Sequence, residues 1–235
     1  HHTSTGDSLK AQGVALTALE KAQMRLETLS AEWAEANIAH NRYHAQKLRS
    51  SDQIQGIHII PHVLPELHDN ERSDQEDQPM ILCVGALTPR KGTDTMLKAA
   101  EIFLPQLLGW KLHLVGLDVD REYQRKFLES ANSDVADRVV FEGFLDEESL
   151  KERYLDCGIY FTTSLFESFG LPCLEAMRRG KALVATNAGA LPELVMHEVN
   201  GFVFEPGDYQ TAAGYVVRLA QNQELRRDMG LKSLE

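Results

Sequence analysis

The chain has 235 residues, 43% of them hydrophobic and 25% charged, and a formal net charge of −11. That acidity excludes nonspecific binding to nucleic acid or anionic lipid, which needs a basic face, so an anionic ligand must be held by local positive groups. No apolar run approaches the ~18 residues of a membrane span and no basic start leads an apolar core, so the expectation is a cytoplasmic protein of one full domain and part of another.

In chain order, the first His-His-Thr-Ser and the last Leu-Glu read as tag remnants and are set aside. Residues 8–36 carry Leu16, Leu19, Ala22, Leu26, Leu29 and Trp33 at steps of three and four, which predicts an amphipathic helix capped by Asp7 or Ser8, its stripe turned to a core. A short strand over Ala36–His40, a helix Arg42–Arg49 capped by Asn41, and a strand Ile57–Pro61 follow. The five histidines between His40 and His68 show no spacing that converges on a metal. Residues 1–65 are thus a mostly helical segment. Residues 66–78, ELHDNERSDQEDQ, are nearly devoid of apolar side chains and mark an acidic linker.

From residue 79 to 235 strands and helices alternate. Strands are expected at Met80–Val84, Leu112–Val115, Val139–Phe141, Ile159–Thr163, Ala182–Ala185 and Phe202–Phe204. Helices are expected at Thr93–Phe103, Arg121–Ala131, Glu147–Leu155, Leu191–Met196, Tyr209–Ala220 and Gln223–Ser233. Continuous apolar strands separated by helices imply an α/β, Rossmann-like parallel six-stranded sheet with helices on both faces and ligands at the strand C-terminal ends. Cys83, Cys157 and Cys173 are odd in number and sit in apolar context, as free core thiols in a reducing compartment do. Asp118-Val119-Asp120 has the look of a metal-binding D-x-D, but it lies just before a helix, where Asp120 is explained as an N-cap.

The most informative stretch is Gly158–Gly180, a buried strand, a loop carrying Glu167, and Gly170-Leu171-Pro172 opening a helix with Glu175 expected in its first turn. A strand that feeds a glycine-bearing turn and a helix start turns the backbone N–H groups of Phe169, Gly170 and Leu171 outward as an anion site. Two carboxylates there fit best as acceptors for hydroxyl groups on either side of a phosphate. That describes a nucleotide-sugar, with ribose at one end and hexose at the other.

Glu167-x7-Glu175 within E-S-F-G-L-P-x-L-E-A closely resembles the signature of the retaining, GT-B-fold glycosyltransferases of family 4. The resemblance implies Glu167 beside the donor sugar and Glu175 beside the nucleotide ribose. Gly85-Ala86-Leu87-Thr88-Pro89-Arg90-Lys91-Gly92 is similar to the family's G-R-L-x-x-x-K-G, which implies Lys91 on the phosphates, with the family's Arg replaced by Ala86. Gly143-Phe144-Leu145 stands where the base stacks, and Gly189-Ala190 stand in the family's G-G-x-P-E loop bordering the donor, with Glu193 favouring a helix N-terminus. The short strand, capped helix and Ile60-Pro61 of the first segment resemble the tail of the family's acceptor domain.

The catalytic candidates are therefore Glu167 and Lys91. The donor-binding candidates are Gly85, Phe144, Phe169, Gly170, Leu171, Glu175, Gly189 and Ala190. The implied activity is hexosyl transfer from a nucleotide diphosphate-sugar to a hydroxyl acceptor, with no metal and no cofactor. The partners expected are the donor, an acceptor, and a missing acceptor domain or partner subunit without which the fragment binds donor but does not turn over. Ala86 and the short N-terminal part favour an alternative, a noncatalytic nucleotide-sugar-binding or scaffold subunit of the same fold.

Overall fold

The computed structural model describes residues 15–50, 54–61, 77–118 and 121–235. Its main body is a six-stranded sheet of β3 (Gln78–Val84), β4 (Lys111–Val115), β5 (Val139–Gly143), β6 (Cys157–Thr162), β7 (Ala182–Thr186) and β8 (Gly201–Phe204), in the order β5-β4-β3-β6-β7-β8. Every neighbouring pair is parallel. The expected six-stranded Rossmann-like architecture is therefore what forms.

Because successive strand residues face opposite sides, each apolar strand supplies two cores. On one face Ile81, Leu112 and Phe161 pack with Met96 and Phe103 of helix Thr93–Phe103 and with Val216 and Leu219 of helix Tyr209–Gln221. On the other, Leu82, Tyr160 and Leu183 pack with Tyr154 of helix Glu147–Asp156 and with Cys173 and Ala176 of helix Leu171–Met177. After β3 the chain moves to one side of the sheet, and after β6 to the other. The C-terminal ends of β3 and β6 consequently flank a switch point, where neighbouring connections diverge and leave a crevice.

Before the sheet, β1 (Asn37–Ala39) and β2 (Ile57–Ile59) pair in parallel around helix Arg42–Arg49, with Ala39, Ala45 and Leu48 as a small core. The preceding helix runs only over Ala18–Trp33, because Thr17 and Glu20 close a capping box there. The proposed caps Asp7 and Ser8 lie outside the described residues. Its stripe is not turned to a core as expected: Leu26 and Trp33 are 65% and 82% exposed.

Other boundaries moved for local reasons. Gly170 in the left-handed region is the N-cap of helix Leu171–Met177, so Glu175 falls in the second turn and not the first. A short helix, Ser133–Ala136, occupies a stretch read as connection. Asp120 lies outside the described residues, and Asp118 does the capping, accepting from the Tyr123 and Gln124 N–H groups at 3.3 and 2.9 Å. Most of the acidic stretch is outside the described residues, but its last residue, Gln78, starts β3, and Asp77 just before it pairs with Lys181.

Lys181 is 2% exposed, and its Nζ donates to Asp77 at 2.8 Å and to the Leu155 carbonyl at 2.7 Å. Arg226, stacked on Trp110, stands 3.5 Å from the same carboxylate. Removing one partner of a buried pair strands the other, so Lys181→Ala is expected to cost about 3 kcal/mol of stability in urea unfolding. A loss under about 1 kcal/mol would show that this anchor holds nothing.

Candidate functional site

The loops at the ends of β3 and β6 are stitched together across the switch point. Past β3, Pro89–Lys91 form a single 3-10 turn capped by Thr88, whose hydroxyl accepts from the Lys91 N–H at 3.3 Å. Past β6, the Thr163 hydroxyl donates to the Lys91 and Gly92 carbonyls at 3.1 and 2.9 Å, and the Leu165 N–H donates to the Arg90 carbonyl at 2.9 Å. Gly92 permits this approach, since its φ is +67° and a Cβ would lie 1.9 Å from the Thr163 carbonyl oxygen.

Those bonds bring Lys91 to Glu167. The Lys91 Nζ lies 2.5 Å from Glu167 Oε2, with side chains 21% and 13% exposed. An ammonium and a carboxylate so placed offer a positive point for an anion and an acceptor for hydroxyl groups. The Lys91 stem runs over Gly85, and Ala86 next to it is exposed.

The loop that carries Glu167 rests on the turn after β7. The Ala190 N–H donates to the Glu167 carbonyl at 2.9 Å, and Gly189, at φ +59°, passes so close that a Cβ would meet that oxygen at 2.0 Å. Next to Glu167, Phe169 is half-buried, Gly170 opens the helix, and Leu171 at its first position is 43% exposed. Phe144, beyond β5, is 78% exposed, an accessible aromatic face at the sheet's C-terminal rim. Glu175 pairs with Arg179 at 2.5 Å and Arg178 at 3.6 Å, so its carboxylate is engaged along its own helix and not with Lys91.

Of the cysteines, Cys173 feels both charges of this pair, but burial above all, and then the Glu167 charge, push its thiol well up, with Lys91 opposing. Burial likewise raises Cys83 and Cys157 to about 12. None is poised as a thiolate nucleophile.

A cavity of about 480 Å³ opens between this loop and the N-terminal segment. Phe169, Ala190 and Leu194 line one wall and His40, Arg42 and Ile59 the other. Two features of this junction escaped sequence reading. Asn41, expected only as a helix cap, also donates from its amide to the Ser168 carbonyl at 2.6 Å. Glu193 caps helix Arg42–Arg49, not the Leu191–Leu194 helix it sits on. Its partners are 151 and 150 residues away, beyond the reach of any local pattern.

The family model for glycosyl transferases group 1 matches residues 66–233. An uncharacterized glycosyltransferase, MJ1607 of Methanocaldococcus jannaschii, is 33% identical over 155 residues, which cover 65% of this chain and 38% of that protein. Sucrose-phosphate synthase from Thermosynechococcus elongatus superposes with a TM-score of 0.81 at 23% identity, covering all of this chain and 61% of that one. HepE of Anabaena, solved with UDP-glucose, superposes at 0.76 and 21% identity, covering 91% of this chain and 62% of that one. The chain spans about two fifths of the length of MJ1607 and of the amylovoran biosynthesis glycosyltransferase AmsK of Erwinia amylovora, and about one fifth of the mannosyltransferase WbdA of Escherichia coli. No helix among the described residues is long and apolar enough to cross a membrane.

Proposed function

The chain belongs to the glycosyl transferases group 1 family, and from that premise we propose that residues 79–235 are the donor-binding domain of a retaining glycosyltransferase. It moves a hexose from a nucleotide diphosphate-sugar to a hydroxyl acceptor. The observation that carries this reading is the Lys91–Glu167 pair, 2.5 Å apart at the ends of the two strands that flank the switch point. UDP-glucose bound to HepE supports a nucleotide-sugar as the ligand class.

In this reading Lys91 leaves Glu167 for the diphosphate and, with the backbone N–H groups at Gly170 and Leu171, stabilises the charge that develops on the leaving group. Glu167, freed of its partner, orients the sugar through its hydroxyl groups. The acceptor approaches the face the leaving group departs from, and a donor phosphate oxygen takes the acceptor's proton. Glu175 turns from Arg179 to the ribose, Phe144 stacks on the base, and Gly85, Phe169, Gly189 and Ala190 border the donor. No metal or cofactor enters. The N-terminal segment is assigned as the tail of an acceptor domain, and a reducing, cytoplasmic setting is supported by the three buried free cysteines.

Calorimetric titration with UDP, GDP, ADP and their sugars tests the assignment. At least one is expected to bind with Kd below about 1 mM. Binding of none removes the reading. Exposed Ala86 beside Lys91, where the resembling enzymes carry an Arg, favours one second reading, a noncatalytic nucleotide-sugar-binding subunit. Binding without transfer by the complete protein selects it.

A further inference from the structure

A helix start leaves its first backbone N–H groups without intrahelical partners. In helix Arg42–Arg49 the Arg42, Tyr43 and His44 N–H groups are satisfied, from two directions. The Glu193 carboxylate accepts from the Arg42 and Tyr43 N–H groups at 2.9 and 2.6 Å. The Asn41 side-chain oxygen accepts from the His44 N–H at 2.8 Å, and its backbone carbonyl accepts from Ala45 at 3.1 Å.

The same Asn41 is buried, and its amide donates to the Ser168 carbonyl, the residue after Glu167. The Tyr43 ring packs on Phe166, the residue before Glu167, with centroids 6.3 Å apart. Ala190, three positions ahead of Glu193, donates to the Glu167 carbonyl itself. Asp146 and Asp208 cap helices that begin at the next residue, so each tidies its own element. Glu193 instead ties two separate parts of the chain together at the backbone of one carboxylate.

We propose that Glu193 is a positioning residue: by capping the Arg42–Arg49 helix it seats the N-terminal segment on the Glu167 loop and holds Glu167 in place for transfer. The proposal rests on the glycosyltransferase reading for its catalytic half only, since the seating is a property of the chain by itself. The charge on Glu193 is favourable at a helix N-terminus, and both bonds are charge-assisted, so the carboxylate does more than fill space.

The test is Glu193→Ala followed by hydrogen exchange and by steady-state kinetics of the complete protein. Exchange at the Arg42, Tyr43 and Ala190 amides is expected to quicken by about tenfold or more, with β6 amides unchanged. In kinetics kcat is expected to fall about ten- to a hundredfold, while KM for the donor moves less than about threefold, because Glu167 is displaced and the phosphate site is not. Glu193→Gln, which keeps one accepting oxygen, should recover part of both effects. It also serves as the deciding variant if the alanine form opens the whole sheet.

Unchanged exchange at Arg42 and Tyr43 overturns the seating. Faster exchange with unchanged kcat overturns the positioning role. If the unaltered complete protein transfers no sugar, the catalytic reading has failed, and exchange alone decides whether Glu193 seats the segment.

Discussion

Lys91→Ala is expected to weaken binding of a nucleoside diphosphate by about tenfold or more and to cut transfer by about a hundredfold or more, whereas Glu167→Gln should leave that binding unchanged or tighten it and cut transfer alone. The opposite signs follow from the pair itself. The Lys91 ammonium and the Glu167 carboxylate pair at 2.5 Å, so a diphosphate that takes Lys91 competes with Glu167 for it. Neutralising Glu167 removes that competitor and frees the ammonium. Deleting Lys91 removes the positive point and leaves a carboxylate, 13% exposed, facing an anion. Lys91→Arg is not expected to restore transfer, since the planar guanidinium does not reproduce a compact ammonium threaded over Gly85. Titrating both single variants with the same diphosphate reads the signs directly. A loss of affinity in Glu167→Gln equal to that in Lys91→Ala would place both residues in a purely structural pair and remove Lys91 from the phosphate.

What could be read from the sequence was what local chemistry decides. The strand into Glu167, the glycine turn and the helix start needed only neighbouring residues, and Asn41 before Arg42–Arg49 announced its cap in the same way. The start of helix Leu171–Met177 was legible too. That Glu175 falls in the second turn depended on Gly170 taking the N-cap, a question of backbone angle that residue types leave open. The apolar stripe before Trp33 showed that a face exists without showing what lies against it, and Leu26 and Trp33 are in fact exposed. Least legible were the long-range bonds. Lys181 reaches Asp77 across 104 positions, and Glu193 reaches Tyr43 across 150. In each case the side chain looks like an ordinary surface charge, and only the folded chain brings its partner to it. The Glu167 loop with its glycine turn was thus legible from pattern, and its seating on the N-terminal segment only in the folded chain.

Gly189→Ala is expected to be, with Gly92→Ala, among the most damaging single methyl additions in the site. At φ +59° any side chain costs about 1 kcal/mol or more of backbone strain. Here the added Cβ would also stand 2.0 Å from the Glu167 carbonyl oxygen and 3.1 Å from its nitrogen, so the backbone of Glu167 itself must move. That movement breaks the Ala190 N–H bond to the same carbonyl and shifts Glu167 relative to Lys91. Displacements of about 1 Å at a reacting group cost about a hundredfold, so transfer should fall by that factor or more, with diphosphate binding at Lys91 largely kept. Gly207→Ala separates strain from contact: its φ is +87°, yet a Cβ there meets nothing within 4 Å. That control should lose only the strain, about 1 kcal/mol in urea unfolding, and no transfer. Equal losses of stability and activity in the two variants would mean that the Gly189 contact does not govern Glu167, and that the turn after β7 merely folds beside it.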